Sequence, residues 1–295
     1  MSRVAVSLLV LLSALPAFAG GGVVAITDGR VAQYKEALAA AQGVISFNFT
    51  VVDLAAGDPS AKLKELQPGV ILAVGQRALQ AARAAAPETP VVHCMVLGAA
   101  AAGSRNVTGV RLEVSPAELL ASLKSILPSA KRVGVIYDPR TLGWYHDEAD
   151  KAAHALGLSL VAKAVTDARD VRGAADALTG QIDVLWLWPD PRLINSEMFS
   201  VLLLSTIDRH VALVGFLDSF TEKGALASVS PDYREAGKRA AKLAQELAAK
   251  APGARLPVPA PLLGPGELTV NLKAARQLGV EVPAAALAHA RQVFR

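Results

Sequence analysis

The sequence predicts an α/β fold of two doubly wound, Rossmann-like lobes joined by a three-segment hinge, and three observations carry that prediction. Short apolar runs alternate with helix-like stretches at a repeat of roughly 20–30 residues, the length of successive βα units. The runs are apolar throughout rather than alternating, which marks strands buried on both faces of a parallel sheet. The pattern is also written twice, with strand-like runs beginning near 23, 44, 70 and 91 and again near 133, 158, 182 and 211. Two halves favour two open lobes, and eight βα units leave a closed barrel as the alternative.

Residues 1–19 read as a secretory leader. Met1-Ser2-Arg3 is a short positive start, Val4–Leu15 is apolar, and Ala17-Phe18-Ala19 is a small-residue cleavage signal before Gly20. The apolar run is too short to span a bilayer comfortably. No cysteine follows the cleavage point, so no lipoprotein anchor is expected and the mature protein is read as periplasmic or otherwise exported.

In the first half, Val23–Thr27 is a strand and Val31–Gln42 a helix closed by Gly43. Val44–Leu54 is β-rich, and Asp58-Pro59 supplies a cap and a proline start for the next helix. Val70–Val74 is a strand ending at Gly75, an alanine-rich helix runs through Ala86, and Val91–Leu97 is the fourth apolar run. In the second half, Arg132–Tyr137, Leu158–Val165, Ile182–Trp188 and Val211–Phe216 are strand-like. Helices are expected between them at Trp144–Leu156, Val171–Leu178 and Ser196–Arg209.

Three segments are expected to cross between the halves. Asn106–Glu113 is the first, followed by a capping box at Ser115-Pro116-Ala117-Glu118. Gly224–Ser230 is the second, with Ser230-Pro231 capping an amphipathic helix to about Lys250. The proline-rich stretch Pro252–Pro265 is the third, before C-terminal helices starting at Asn271 and Pro283. An N-terminal lobe then covers 20–110 with about 230–252 packing back on it, and a C-terminal lobe covers 111–229 with about 262–295. Such lobes place ligands beyond the carboxyl ends of their strands, in the gap between them.

Composition narrows the function. The chain has 295 residues, 52% of them hydrophobic and 19% charged, which excludes disorder and disulfide-rich miniproteins. The net charge of +4 is not gathered into a Lys/Arg block, so no nucleic-acid partner is expected. The single Cys94 can form no intrachain disulfide. The five histidines are dispersed, with no H-E-x-x-H and no G-x-S-x-G, and Gly20-Gly21-Gly22 precedes a strand where a phosphate loop must follow one. No cofactor, metal or catalysis is expected.

Candidate ligand contacts are the polar and aromatic residues at strand ends. Trp188 closes the seventh strand, where an indole stacks on flat or apolar ligands. Trp186 lies two residues earlier and is more simply core, and Trp144 is either a contact or a staple of its helix start. Asp28, Asp138, Asp190 and Asp218 follow the first, fifth, seventh and eighth strands, and suit an ammonium or hydroxyls as well as they suit helix caps. Asp190 and Asp218 are the preferred two, with Asp28 also retained. Arg140 could clamp a carboxylate, and Thr141 and Ser219 add hydroxyls at the same rim. Tyr233 could close over the ligand or pack the start of its helix.

Four segments carry a family likeness: Asn106-Val-Thr-Gly-Val110, Lys131–Pro139, Gly224–Tyr233, and the tail Asn271–Gly279 with Pro283 and Leu287–Ala290. Together they resemble the substrate-binding proteins of ABC importers, in the group that includes periplasmic aromatic amino-acid-binding members. The resemblance covers about residue 105 to the end and implies the type I periplasmic-binding-protein fold. The N-terminal lobe departs from the pattern. Gln76 stands after Gly75 where the family has a small hydroxyl residue, and His93–Gly98 replaces an Asp-Pro loop. Arg140–Trp144 replaces a loop with asparagine and serine. The resemblance makes all three positions cleft-facing.

The expectation is an exported monomer that captures a small polar ligand in an interlobe cleft and closes by hinge motion. The ligand is expected to be an amino acid or related compound with an apolar or ring portion. It would be delivered to the membrane permease of an ABC importer. The alternative is a ligand-sensing subunit for a signalling receptor, without transport.

Overall fold

The computed structural model describes residues 21–46, 48–96, 105–250, 256 and 266–295. The leader assigned to residues 1–19, and all of the proposed third crossing except Leu256, lie outside them.

The first part of the chain runs β1 (Val23–Thr27), α1 (Ala32–Gln42), β2 (Phe49–Asp53), α2 (Ser60–Leu66), β3 (Val70–Val74), α3 (Gln76–Ala85), β4 (Val91–Cys94) and β5 (Val107–Gly109). Its five strands form one parallel sheet in the order β2-β1-β3-β4-β5. Because successive side chains point to opposite faces, the apolar runs serve two cores at once. Val23, Ala25, Val70, Leu72, Val92 and Cys94 pack on one face. Val24, Ile26, Ile71, Ala73 and Val91 pack on the other, against Leu63 of α2 and Leu79 of α3.

The second part runs α4 (Pro116–Ile126), β6 (Arg132–Tyr137), α5 (Pro139–Ala155), β7 (Ser159–Ala164), α6 (Val171–Thr179), β8 (Val184–Trp186), α7 (Ser196–Ile207), β9 (Ala212–Gly215), α8 (Asp218–Glu222) and β10 (Ala227–Ser230). After α9 (Tyr233–Ala248) come β11 (Glu267–Asn271), α10 (Leu272–Leu278), α11 (Ala284–His289) and β12 (Gln292–Phe294). The second sheet has the order β12-β11-β10-β9-β8-β6-β7, with β11 antiparallel to β10. It also separates two cores, one with Leu119, Leu120 and Leu123 of α4 and Tyr145 of α5, the other with Val171, Phe199 and Phe220 of the opposite face.

Helix α9 does not stay with the second sheet. It lies along α1 and over β3 and β4, burying Ala236, Ala240, Ala241 and Ala244 in the first core. Gly237 makes the close approach possible, since a Cβ there would stand 2.7 Å from the Ala37 carbonyl carbon.

Several elements differ from expectation. Gly224–Ser230 does not cross between the lobes; Ala227–Ser230 is a buried strand of the second sheet, its small side chains fitting between β9 and β11. The crossing falls at Pro231-Asp232, and Asp232, not Ser230, caps α9 by accepting from the Glu235 N–H at 2.9 Å. Ser115 precedes α4 but its side chain makes no capping hydrogen bond, so the helix is present without its box. The tail contains two strands as well as its helices. Asn271 ends β11 and then caps α10, accepting from the N–H groups of Lys273 and Ala274 at 2.9 and 3.0 Å. The segment after Asp138 is no loop: Pro139 starts α5, with a kink at Leu142.

Candidate functional site

The carboxyl ends of β1, β4 and β9 border an open cleft of about 260 Å³ between the two sheets' elements. Val31, Gln33 and Tyr34 of the α1 turn and Met95 after β4 line one wall, and Leu217, Asp218 and Ser219 at the start of α8 line the other. Leu112 of the first crossing and Tyr233 at the start of α9 close its base. Tyr34 reaches the cleft because Gly75 lets it: a side chain there would collide with the Tyr34 ring, and its φ of +97° is one L residues rarely adopt.

Asp218 is the charged group of this wall, and it is held rather than free. Its carboxylate accepts from the Ser230 hydroxyl at 2.6 Å and pairs with Arg291, which also bridges Glu267 at 2.9 Å. Short helix α8 is fixed beneath it by a buried polar chain. Thr221 Oγ1 donates to Ser228 Oγ at 2.7 Å, Thr269 donates to Thr221 at 2.9 Å, and Asn271 Nδ2 donates to the Thr221 carbonyl at 2.8 Å. Burial, then the nearby Asp218 charge, pushes the Tyr233 phenol up to about 12, so it faces the cleft as a neutral hydroxyl.

A narrow recess of about 20 Å³, room for a single water, continues from the cleft behind Leu112, Leu217 and Tyr233. Its walls are Val114, Leu119, Tyr145, Trp186, Pro189, Phe216, Val229 and Pro231, apolar apart from Glu113. Glu113 is 2% exposed, and neither carboxylate oxygen accepts a hydrogen bond. The nearest cation is Arg111, whose Nε is 3.5 Å away and whose guanidinium lies 3.7 Å above the Trp144 ring.

Of the residues singled out from sequence, Asp218, Ser219 and Tyr233 meet at the cleft. Trp188 does not: it is 1% exposed, edge-on to Tyr145 at 4.9 Å and to Trp186 at 5.3 Å in the aromatic core under α5. Trp144 supports Arg111 and packs on the same core. Gln76 is exposed at the first turn of α3. Asp28, Asp138 and Asp190 all lie at strand ends, and each is clamped by the arginine two residues on.

Arg30 donates two side-chain hydrogen bonds to Asp28, and Arg77 adds a third at 2.7 Å. Arg140 grips Asp138 through Nε and Nη2 and reaches the Thr166 carbonyl. Arg192 holds Asp190, reaches Asp138 at 3.2 Å and donates to Thr141, which itself donates to Asp190 at 3.0 Å. These bonds hold the Asp28 carboxyl far below its usual range and Asp138 at about 2. The repeated Asp-x-Arg spacing, present again at Asp167-Ala168-Arg169, is the sequence signal that these carboxylates are satisfied internally. Gln33 and Tyr34 lie in the first turn of α1, and Met95, Leu112 and Glu113 lie just past strand ends, positions that the apolar pattern does not mark.

The chemistry offered is recognition by hydroxyls, amide and aromatic surface. Among the described residues no group of three or more His, Cys, Asp or Glu is placed to hold a metal ion, and no helix is long and apolar enough to cross a membrane. Burial raises the Cys94 thiol to about 12, far from a reactive thiolate.

Comparison with known proteins adds three findings. A family model described as "ABC transporter substrate binding protein" matches residues 48–294. A tyrosine-binding protein of Clostridioides difficile is 28% identical over 192 residues, covering 60% of this chain, which thus spans about half (54%) of that relative. Two solved structures share the fold: an ABC domain in complex with L-Trp from Streptococcus pneumonia (18% identity, 93% of this chain and 100% of that one, TM-score 0.65), and a ligand-free, open substrate binding protein with adhesive properties from Clostridium difficile (20%, 93% and 99%, 0.66).

Proposed function

The chain belongs to the ABC transporter substrate-binding protein family, and from that premise we propose that it is an exported receptor that captures a small polar ligand, an amino acid or related compound, in the interlobe cleft and delivers it to the permease of an ABC importer. The observation that carries the reading is a cleft whose walls come from both sheets, with Tyr34 facing Asp218 and Ser219 across it and Tyr233 at its base. The lobes are residues 20–110 with about 230–252, and 111–229 with about 262–295. A ligand touched by both walls at once favours the closed arrangement over the open one, which is the differential affinity that closure requires. The relative at 28% identity is named for tyrosine binding, which supports an amino acid as the ligand class.

The protein acts by binding rather than catalysis. Asp218, the cleft carboxylate, is already neutralised by Arg291 and hydrogen-bonded by Ser230, which suits it to orient an ammonium or hydroxyl and unsuits it as a base. The test is a thermal-shift screen of the chain lacking residues 1–19 against amino acids, sugars, nucleosides and short carboxylates. A ligand at a hundredfold excess over Kd stabilises the folded state by about 2.7 kcal/mol. A shift confined to amino acids supports the reading, and a shift confined to another class replaces the ligand assignment.

A further inference from the structure

We propose that the recess behind the cleft is a site for one buried water, which accepts from the Trp186 indole N–H, donates to the Glu113 carboxylate, and so fastens the first crossing to the second sheet. The site rests on the recess alone and does not depend on which ligand the cleft takes. Glu113, Tyr145 and Trp186 all line it. Both carboxylate oxygens of Glu113 are buried with no hydrogen bond from the protein, and the Trp186 Nε1–H is buried with no acceptor. The Tyr145 ring lies 5.9 Å from the Trp186 ring, and its hydroxyl donates to the Val114 carbonyl at 2.9 Å, which leaves the phenol oxygen able to accept.

Donors and acceptors balance on a single water. Glu113 calls for a donor and Trp186 for an acceptor, and a water is both. It takes the indole hydrogen and gives its own two to Glu113 and the Tyr145 oxygen, the three bonds usual for a buried water. Size agrees: the recess of about 20 Å³ exceeds the roughly 10–15 Å³ one water needs and excludes a larger guest. Arg111 does not fill the role. Its Nε stands 3.5 Å from the carboxylate with its guanidinium over the Trp144 ring, so it balances the charge without making a hydrogen bond. A buried donor and a buried acceptor left unpaired each cost stability, and one water satisfies both. Glu113 belongs to the first crossing and Trp186 to β8, so the bridge holds the crossing one residue before the point where Tyr145 holds Val114.

The experiment is nuclear magnetic resonance on the isotope-labelled chain lacking residues 1–19, with the indole N–H signals assigned through Trp144→Phe, Trp186→Phe and Trp188→Phe. The Trp186 N–H is expected to show a direct Overhauser contact to the water resonance, of the sign that a long-lived bound water gives. Trp188, whose N–H is also buried without an acceptor but does not line the recess, is expected to show none. Glu113→Gln, which keeps an acceptor oxygen, retains the contact, and Glu113→Leu abolishes it. Tyr145→Phe also retains it, because Glu113 and Trp186 still hold the water, and that result excludes relay through the tyrosine hydroxyl proton. A crystal structure of the unsubstituted chain that resolves ordered waters is the second readout, independent of whether Glu113→Leu folds. Density within hydrogen-bonding distance of both Glu113 and Trp186 Nε1 supports the site. No contact at Trp186, an equal contact at Trp188, a contact that survives Glu113→Leu or is lost in Tyr145→Phe, or a recess without density overturns it and leaves the reading of the cleft standing.

Discussion

Gly237→Ala perturbs the contact on which one wall of the cleft depends. Helices α1 and α9 cross with the Gly237 Cα against the Ala37 backbone, and an added Cβ would sit 2.7 Å from the Ala37 carbonyl carbon and closer still to its oxygen, inside the 3.0 Å that real Cβ atoms keep. The obstacle is backbone within a helix, so no side chain can swing aside and the helices must part. Overpacking of this kind costs about 1–3 kcal/mol, while replacing a mid-helix glycine by alanine recovers about 1 kcal/mol. With a backbone obstacle the upper part of that range applies, so the net expectation is a loss of about 1–2 kcal/mol.

Gly173→Ala in α6 is the control, because a Cβ there meets nothing within 4 Å and only the helix-propensity gain remains. Urea unfolding would be followed by two probes. All three tryptophans, Trp144, Trp186 and Trp188, belong to the second lobe, so fluorescence reports that lobe while far-ultraviolet circular dichroism reports both. Gly237→Ala should move the dichroism midpoint down more than the fluorescence midpoint. A Gly237→Ala protein as stable as Gly173→Ala by both probes would refute the packing of α9 on α1.

Other expectations follow from the same contacts. Trp188→Ala should cost about 3–5 kcal/mol of stability in urea unfolding, because it empties a 1% exposed aromatic site between Tyr145 and Trp186. His93, buried without a hydrogen-bond partner for either ring nitrogen, has its pKa lowered by burial to about 4. The unfolded chain titrates near 6.5, so stability should fall as pH drops from about 6.5 through about 4, and His93→Leu should flatten that stretch of a stability-against-pH curve. Arg140 holds Asp138 at about 2. Its stabilising contribution is therefore complete above the unfolded value near 4 and lost as pH falls through about 2, a decline that Asp138→Asn should remove in acid-unfolding measurements.

The fold was legible where burial is double-sided. Val23–Thr27 and Val70–Val74 read as strands because both faces of the sheet demand apolar side chains, and the structure uses both. It was illegible where small polar residues replace apolar ones. Ala227–Ser230 and Glu267–Asn271 are paired strands, but Ser228, Thr269 and Asn271 owe their burial to hydrogen bonds with Thr221, a partner that only the tertiary fold supplies. The site shows the same division. Asp218, Ser219 and Tyr233 were recognisable as strand-end and helix-start polar residues. Asp28, Asp138 and Asp190 looked equivalent, yet the arginine two residues downstream of each closes on it. Trp188 ends its apolar run pointing into the core under α5, because an odd or even position on a strand is decided by register and not by its nearness to the strand's end. Glu113 had no local signal at all, since what distinguishes it is burial without a hydrogen bond, its charge answered only by Arg111 at 3.5 Å.

The most direct test of the central claim is a crystal structure of the chain lacking residues 1–19 grown with L-tyrosine. The account predicts ligand density in the cleft between Tyr34 and the Asp218-Ser219 wall, beside Tyr233. A cleft that stays empty at saturating tyrosine, or a ligand seated away from it, would contradict it.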